Sequence, residues 1–413
     1  MINKKNKQIK IAMTFCTLAI VFFSWGVLMS INTIVSPFLQ QVFALSDTES
    51  MYIQLVFFSS PLIICLPASK LLRQVGYKKS LIIGLTLVAI GSFSIFPSTS
   101  LNSYFAVLIS IFIIALGVAV LQVIANPFVA QLGTEQHSSQ RLTFVSGVNS
   151  LGTTLGPLFL SYMLFAPSGG DSLISASQLQ LPYFVIGLVM TPLILILLSG
   201  VTLDPAISNS CNGVGIPAWR HRHLIFGMVA IFFYTGAEVS IGSFLLQYLN
   251  SPSLGGYDLD IAGKYVSLYW GGAMVGRLLG SLAFTHFSAR HILIGCTLSA
   301  ICLLCYVIHS NSSSAAYALI LVGLCNSVMY PVIFSLAISK LGSATATGSS
   351  LLVMSGIGGA IIPILQAQTI GIYSLQLSFY VPALSYVIIL LFGMIGWRPR
   401  VISLAGLHKS RVT

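Results

Sequence analysis

Residues 104–128 read YFAVLISIFIIALGVAVLQVIANPF, twenty-five positions without a charged side chain. As a helix rising 1.5 Å per residue, the stretch is about 38 Å long, enough to cross the ~30 Å hydrocarbon core of a bilayer. It does not stand alone. Apolar runs near span length start at Ile11, Tyr52, Leu81, Tyr104, Leu142 and Pro182, and again at Leu224, Ala262, Ile292, Ala315, Thr347 and Leu377. Twelve spans follow, six on each side of a polar segment that carries Asn209, Asn212, Gly213, Gly215 and Pro217. The organisation expected is a six-helix bundle over 1–204, a linker over 205–222 and a second six-helix bundle over 223–413.

Composition excludes the alternatives. Of 413 residues, 56% are hydrophobic and 7% charged, where a soluble domain carries about 25% charged. Too few charges are present to cover a water-exposed surface. The same numbers exclude disorder and a disulfide-framed secreted domain. An all-α membrane protein remains, because helices satisfy their own backbone in lipid. The excess of 19 Lys and Arg over 8 Asp and Glu suggests nucleic acid only until the residues are placed. Lys4, Lys5, Lys7, Lys10, Lys70, Arg73, Lys78, Lys79, Arg141, Arg220, Arg222, Arg290, Lys340, Arg398, Arg400, Lys409 and Arg411 fall in tails or in even-numbered connections. The opposite loops hold Asp47, Glu49, Asp171, Asp258 and Asp260, with Lys264 as their one base. By the positive-inside rule both termini are cytoplasmic, and the bases set orientation rather than bind nucleic acid. The N-terminal run from Ile11 to Leu39 is too long for a signal peptide and reads as a retained first span.

The halves repeat. Thr33–Gln40 (TIVSPFLQ) in the first span matches Ser240–Gln247 (SIGSFLLQ) in the seventh at an offset of 207. Asn126-Pro127 and Leu132-Gly133 pair with Tyr330-Pro331 and Leu341-Gly342, and Gly-rich stretches close on Pro157 and Pro363. Such repeats imply two bundles around a central cavity lined by spans 1, 4, 7 and 10.

Polar residues inside the spans are the functional candidates. Glu238 lies about 15 residues, or roughly 22 Å, from the start of its helix at His223. An acid so deep is costly unless it faces water, a partner or a proton. Arg277, the one deep base, is offset from it by about 8 Å along the axis. Snorkelling to the interface or bonding to helix ends is therefore favoured over a pair with Glu238. Asn32, Gln54, Gln122, Asn126, Asn149, Asn326 and Gln366 are amides within apolar runs. Each supplies a donor and an acceptor, which suits a ring of hydroxyls but also joins helices. Gln122 and Asn126, four apart, share a face. Trp25, Phe232, Phe233, Tyr234, Trp270 and Tyr330 are candidate platforms for the apolar face of a ring solute. The motif C-x-x-C at Cys302 and Cys305 has no His or acid near it and reads as apolar filling. His221 and His223 flank Arg222 at a helix end and read as interface charge, so no metal and no cofactor are expected. Without a phosphate loop or a zinc motif, the expectation is a carrier that moves its solute unaltered rather than an enzyme.

Leu121–Phe128 followed by Leu132-Gly133 resembles the fourth-span signature of the fucose/glucose/galactose branch of the major facilitator superfamily. So do Arg141-Leu142-Thr143 with Asn149–Thr154, Gly236–Leu245, Tyr330–Leu336, and Pro67-Ala68 with Gly76–Lys79. The resemblance implies the twelve-helix fold and uptake of a hexose by alternating access, coupled to H+ or Na+, by a monomer in the inner membrane of a bacterium. It implies sugar contacts from Asn149, Gln122, Asn126, Glu238, Gln54, Asn32, Asn326 and Trp270, and coupling through Glu238. The chain departs from the proton-coupled fucose permeases at two acids, replaced by Thr33 and Gln122, and Ser146 stands where an amide is usual. Gln122 favours the glucose/galactose class. Thr33 leaves open a carrier or exporter of another small polar solute, or an uncoupled one.

Overall fold

A computed structural model describes residues 2–45, 52–165, 175–198, 217–252, 254, 256–257, 259–310 and 314–399. The chain divides into two compact units, Met1–Asn212 and Gly213–Thr413. The first holds α1 (Ile2–Val42), α2 (Tyr52–Ser100), α3 (Tyr104–Gln131), α4 (Ser138–Phe165) and α5 (Gln180–Leu198). The second holds α6 (Arg222–Asn250), α7 (Leu259–Ala283), α8 (Ala289–His309), α9 (Ser314–Asn326), α10 (Met329–Ile338), α11 (Thr345–Met354), α12 (Gly358–Ile372) and α13 (Tyr380–Leu391).

Nine helices among the described residues are long and apolar enough to cross a membrane. One of them, Leu55–Ser100, has 46 residues, about 69 Å or twice a bilayer core. It is two spans broken at Gly76, whose φ of 77° and ψ of 176° are open only to glycine. Helices α4 and α7, of 28 and 25 residues, are long enough to cross but less apolar. They carry the polar run Asn149–Thr154 and the bases Lys264 and Arg277. The pairs α9/α10 and α11/α12 each make one crossing. With these, the described helices supply six crossings in each unit. Replacing Gly76 by Ala is expected to cost about 1–3 kcal/mol, read as a lower thermal midpoint of purified protein in detergent. An unchanged midpoint would show that the break tolerates a side chain.

Packing follows from small residues. In the first unit α1 lies on α4, where a Cβ at Gly152 would strike the backbone carbonyl of Phe23. In the second, α6 lies on α12, where a Cβ at Gly358 would strike the carbonyl of Phe232. The two contacts are offset by 206 and 209 residues, the repeat seen in the sequence. Helix α3 is the most enclosed of these spans, with 72% of its apolar window buried. Outward faces are apolar instead, with Leu198, Leu279, Leu282 and Ile364 exposed, and only lipid solvates such a surface without penalty.

Basic side chains secure helix ends. Arg141 donates to the carbonyls of Val129 (3.1 Å) and Ala130 (2.7 Å) in the last turn of α3 and of Thr134 (2.9 Å) just beyond it. Arg290 donates to Gly393 O at 3.0 Å, and His223 Nε2 meets Ser339 O at 2.8 Å after α10. Terminal carbonyls have no intrahelical donor, and a cationic side chain satisfies them.

Candidate functional site

Glu238 lies on α6 in the sequence Gly236-Ala-Glu-Val-Ser-Ile-Gly242. The small residues let neighbours approach. A Cβ at Gly236 would clash with Ile362 of α12, and one at Gly242 would lie 2.7 Å from the Trp270 ring of α7. Glu238 and Gly242 are one turn apart, and Trp270 and Arg277 are about two turns apart on α7. The helices run antiparallel, so Trp270 meets Gly242 and Arg277 meets Glu238. Arg277 Nη2 is 3.4 Å from Glu238 Oε1, and the side chains are 17% and 14% exposed. The pair compensates its charge internally yet keeps an open edge. Of the expectations for Arg277, snorkelling is replaced by the pair with Glu238, while a bond to a helix end is also present. Cα–Cβ bonds lean toward a helix's N-terminus, so in antiparallel helices the two side chains lean toward each other.

The other arm of Arg277 has its own cause. Pro331 has no N–H, so the carbonyl four residues earlier, Ser327 O, loses its helical donor. The span breaks there into α9 and α10, and Arg277 Nε donates to Ser327 O at 3.1 Å. The preceding carbonyl, Asn326 O, accepts from Tyr234 OH at 3.1 Å. One guanidinium thus joins the acid to the broken span.

Asn326 is fully buried. Its Nδ2 donates to Tyr269 OH (2.9 Å), its Oδ1 accepts from Tyr386 OH (2.5 Å), and Tyr269 OH in turn donates to the Glu238 carbonyl oxygen (3.2 Å). Asn326 is therefore the hub of a tyrosine network around the acid. Tyr269 and Tyr386 were not among the candidates. Each is a tyrosine deep in an apolar span, the signal that would have found them, since a buried phenol needs a partner.

In the first unit Asn149 Nδ2 donates to Phe22 O of α1 at 2.7 Å. Its Oδ1 has no hydrogen-bond partner among the described residues. Asn126 is 1% exposed, and its Nδ2 is buried without a partner among the described residues. Like Asn326 it is buried within its unit. Gln122, one turn earlier on α3, is half-buried. The side chains of Asn32, Thr33 and Gln54 lie outside the described residues. Gln366 is buried and donates to Ser378 Oγ at 3.1 Å, joining helices.

The aromatic candidates divide likewise. Trp270 is 46% exposed and packs edge-on against Tyr269, with centroids 5.2 Å apart. It stands about one turn beyond Glu238, where a flat apolar face beside a carboxylate suits a sugar ring. Tyr234 is buried and Tyr330 half-buried, their rings 6.2 Å apart, while Phe232 packs on Phe233 and Trp25 on Phe22.

The family model of the Major Facilitator Superfamily matches residues 14–363. A glucose/galactose transporter of Brucella abortus is 37% identical over 387 residues, covering 92% of this chain and 93% of the relative. The L-fucose-proton symporter of Escherichia coli K12 is 29% identical over 405 residues, 92% of each chain. Among solved structures, the major facilitator transporter FucP in its outward conformation superposes with a TM-score of 0.83 at 27% identity, covering 94% of this chain and 99% of its own.

Proposed function

Because the chain belongs to the major facilitator superfamily, we propose that it is a secondary carrier of a glucose-, galactose- or fucose-type hexose, working by alternating access in a bacterial cytoplasmic membrane. The observation that carries this reading is the pair Glu238–Arg277, deep in a span yet open at one edge, with Trp270 about one turn away. Carboxylate and guanidinium are strong hydrogen-bond partners for sugar hydroxyls, and an indole face covers the C–H side of a pyranose. Gln122 and the Oδ1 of Asn149 are the sugar-contact candidates of the first unit. Asn126 and Asn326 act from behind, holding the walls. The glucose/galactose relative supports the substrate class, and the fucose-proton relative supports uptake coupled to a cation, H+ before Na+. The two units serve as the six-helix bundles, joined by the 205–222 linker, and the basic connections place both termini in the cytoplasm. The chain acts without a cofactor and as a monomer.

Thr33 and Ser146 favour a second reading, a carrier of another small polar solute that runs uncoupled. Both are tested with purified protein in liposomes given labelled glucose, galactose or fucose. Uptake of at least one, competed by excess unlabelled sugar, is expected. No uptake, with no change in Trp fluorescence on adding any hexose, overturns the first reading. Uptake that no imposed proton or sodium gradient accelerates selects uncoupled transport.

A further inference from the structure

We propose that Arg277 is a positioning residue that couples the occupancy of Glu238 to the break in the tenth span. The inference rests on the reading of Glu238 as the group that meets solute or cation. Three observations carry it. Pro331 leaves Ser327 O without a helical donor, and Arg277 Nε takes that carbonyl at 3.1 Å. The same guanidinium reaches Glu238 Oε1 at 3.4 Å. Helix α7 is held against the break by small residues: a Cβ at Gly276 would lie 2.5 Å from Ser327 Oγ, and one at Gly272 would lie 3.6 Å from Leu324 N. Arg277 therefore has little freedom to slide, and a change at one arm is felt at the other.

A second link runs through Tyr234, which contacts Glu238 and donates to Asn326 O at 3.1 Å, but it is a neutral phenol. Arg277 and Tyr269 face it from α7, and Tyr234 shares its helix. Tyr386 of α13 and Tyr330 of α10 stand behind, through Asn326 and Tyr234. Helix α12, packed on the other side, contains no charged residue. Of these, only Arg277 is a cation, and it also bonds the backbone of the broken span. A sugar hydroxyl or a coupling cation that engages the carboxylate competes with the guanidinium. The fork then loses its hold on the acid, and the strut between Glu238 and the break at α9 and α10 is weakened.

Hydrogen exchange of the full-length protein in nanodiscs, followed on peptides spanning 324–332, tests the link. Without sugar, Glu238→Gln is expected to speed exchange there at least threefold, with peptides of α8 unchanged. Added glucose or galactose should alter the same peptides in the natural protein and leave them unaltered in Glu238→Gln. In transport, Arg277→Gln should lower sugar exchange at least tenfold by leaving the acid uncompensated. The double variant Glu238→Gln/Arg277→Gln should return to the level of Glu238→Gln alone. A residue that only straps a helix end would give no such rescue. Unchanged exchange at 324–332 in Glu238→Gln overturns the proposal, as does a double variant no better than Arg277→Gln. If Arg277→Gln does not fold, the sugar-free comparison decides alone. That comparison needs no transported solute, so absence of hexose uptake counts against the proposed function and not against this link.

Discussion

Glu238→Gln is expected to abolish gradient-driven accumulation of sugar while sparing exchange across the membrane. One elementary charge moved through 100 mV supplies about 2.3 kcal/mol, which sustains roughly a fiftyfold concentration ratio. Without a coupled charge the ratio falls to about one. Glutamine has nearly the shape of glutamate and can still meet a sugar hydroxyl, so sugar contact should survive, although without its charge it holds Arg277 less firmly. What it loses is the ability to alternate between charged and neutral forms. Among the described residues Glu238 is the one acid in the interior of a span, with Glu135 in a connection and Asp260 at a helix end. Among the described residues no second carboxylate lies within a span to replace it. Accumulation and counterflow of labelled hexose, measured in the same liposomes with an imposed proton or sodium gradient, separate the two functions. Accumulation at the natural level would remove Glu238 from the coupling step.

The second large effect is structural. Gly358→Ala should cost about 3 kcal/mol, and Gly152→Ala a similar amount. In both, the new methyl meets a backbone carbonyl of the facing helix, Phe232 O or Phe23 O, well inside van der Waals contact. A flexible side chain could swing away from such a contact, but a helix backbone must move as a body. Close approach through small residues is a principal means of helix association in lipid, where apolar faces gain little from meeting one another. Gly295→Ala on α8 is the control. Nothing lies within 4 Å of its Cβ, and helix propensity should make it neutral or slightly stabilising. Thermal midpoints and size-exclusion profiles of the three variants in one detergent give the comparison. Equal midpoints for Gly358→Ala and Gly295→Ala would show that α6 and α12 are not packed as described.

The fold was legible because lipid imposes a length and forbids charge. The twelve apolar runs reappear as crossings, two of them only as helix pairs interrupted near Ser327 and Ser355. The repeat read from the Gly-rich stretches closing on Pro157 and Pro363 reappears as equivalent glycines, Gly152 and Gly358, striking equivalent carbonyls. Glu238 stood out for the same reason, as a lone acid where none should be. The partner of Glu238 was misjudged because heights were counted from helix ends. Counted from the contact of Trp270 with Gly242, Arg277 lies only about 4.5 Å below Glu238, within reach of a long side chain. Where two helices touch is a property of Gly236, Gly242 and Gly276 acting across helices, and spacing along one helix does not contain it. The enclosure of Asn126 and Asn326 was hidden likewise. An amide in an apolar run looks the same whether it opens on water or ties three helices together.

The vacancy that Pro331 leaves at Ser327 is filled from another helix, 54 positions earlier in the chain. The proline and the arginine are thus a single inherited character written in two places. A lineage that loses Arg277 but keeps Pro331 buries an unmatched carbonyl, at about 1–3 kcal/mol. One that loses Pro331 first restores the helix and leaves Glu238 as the reason to keep the arginine. The order of substitution, not only the residues, decides which descendants of this chain remain stable.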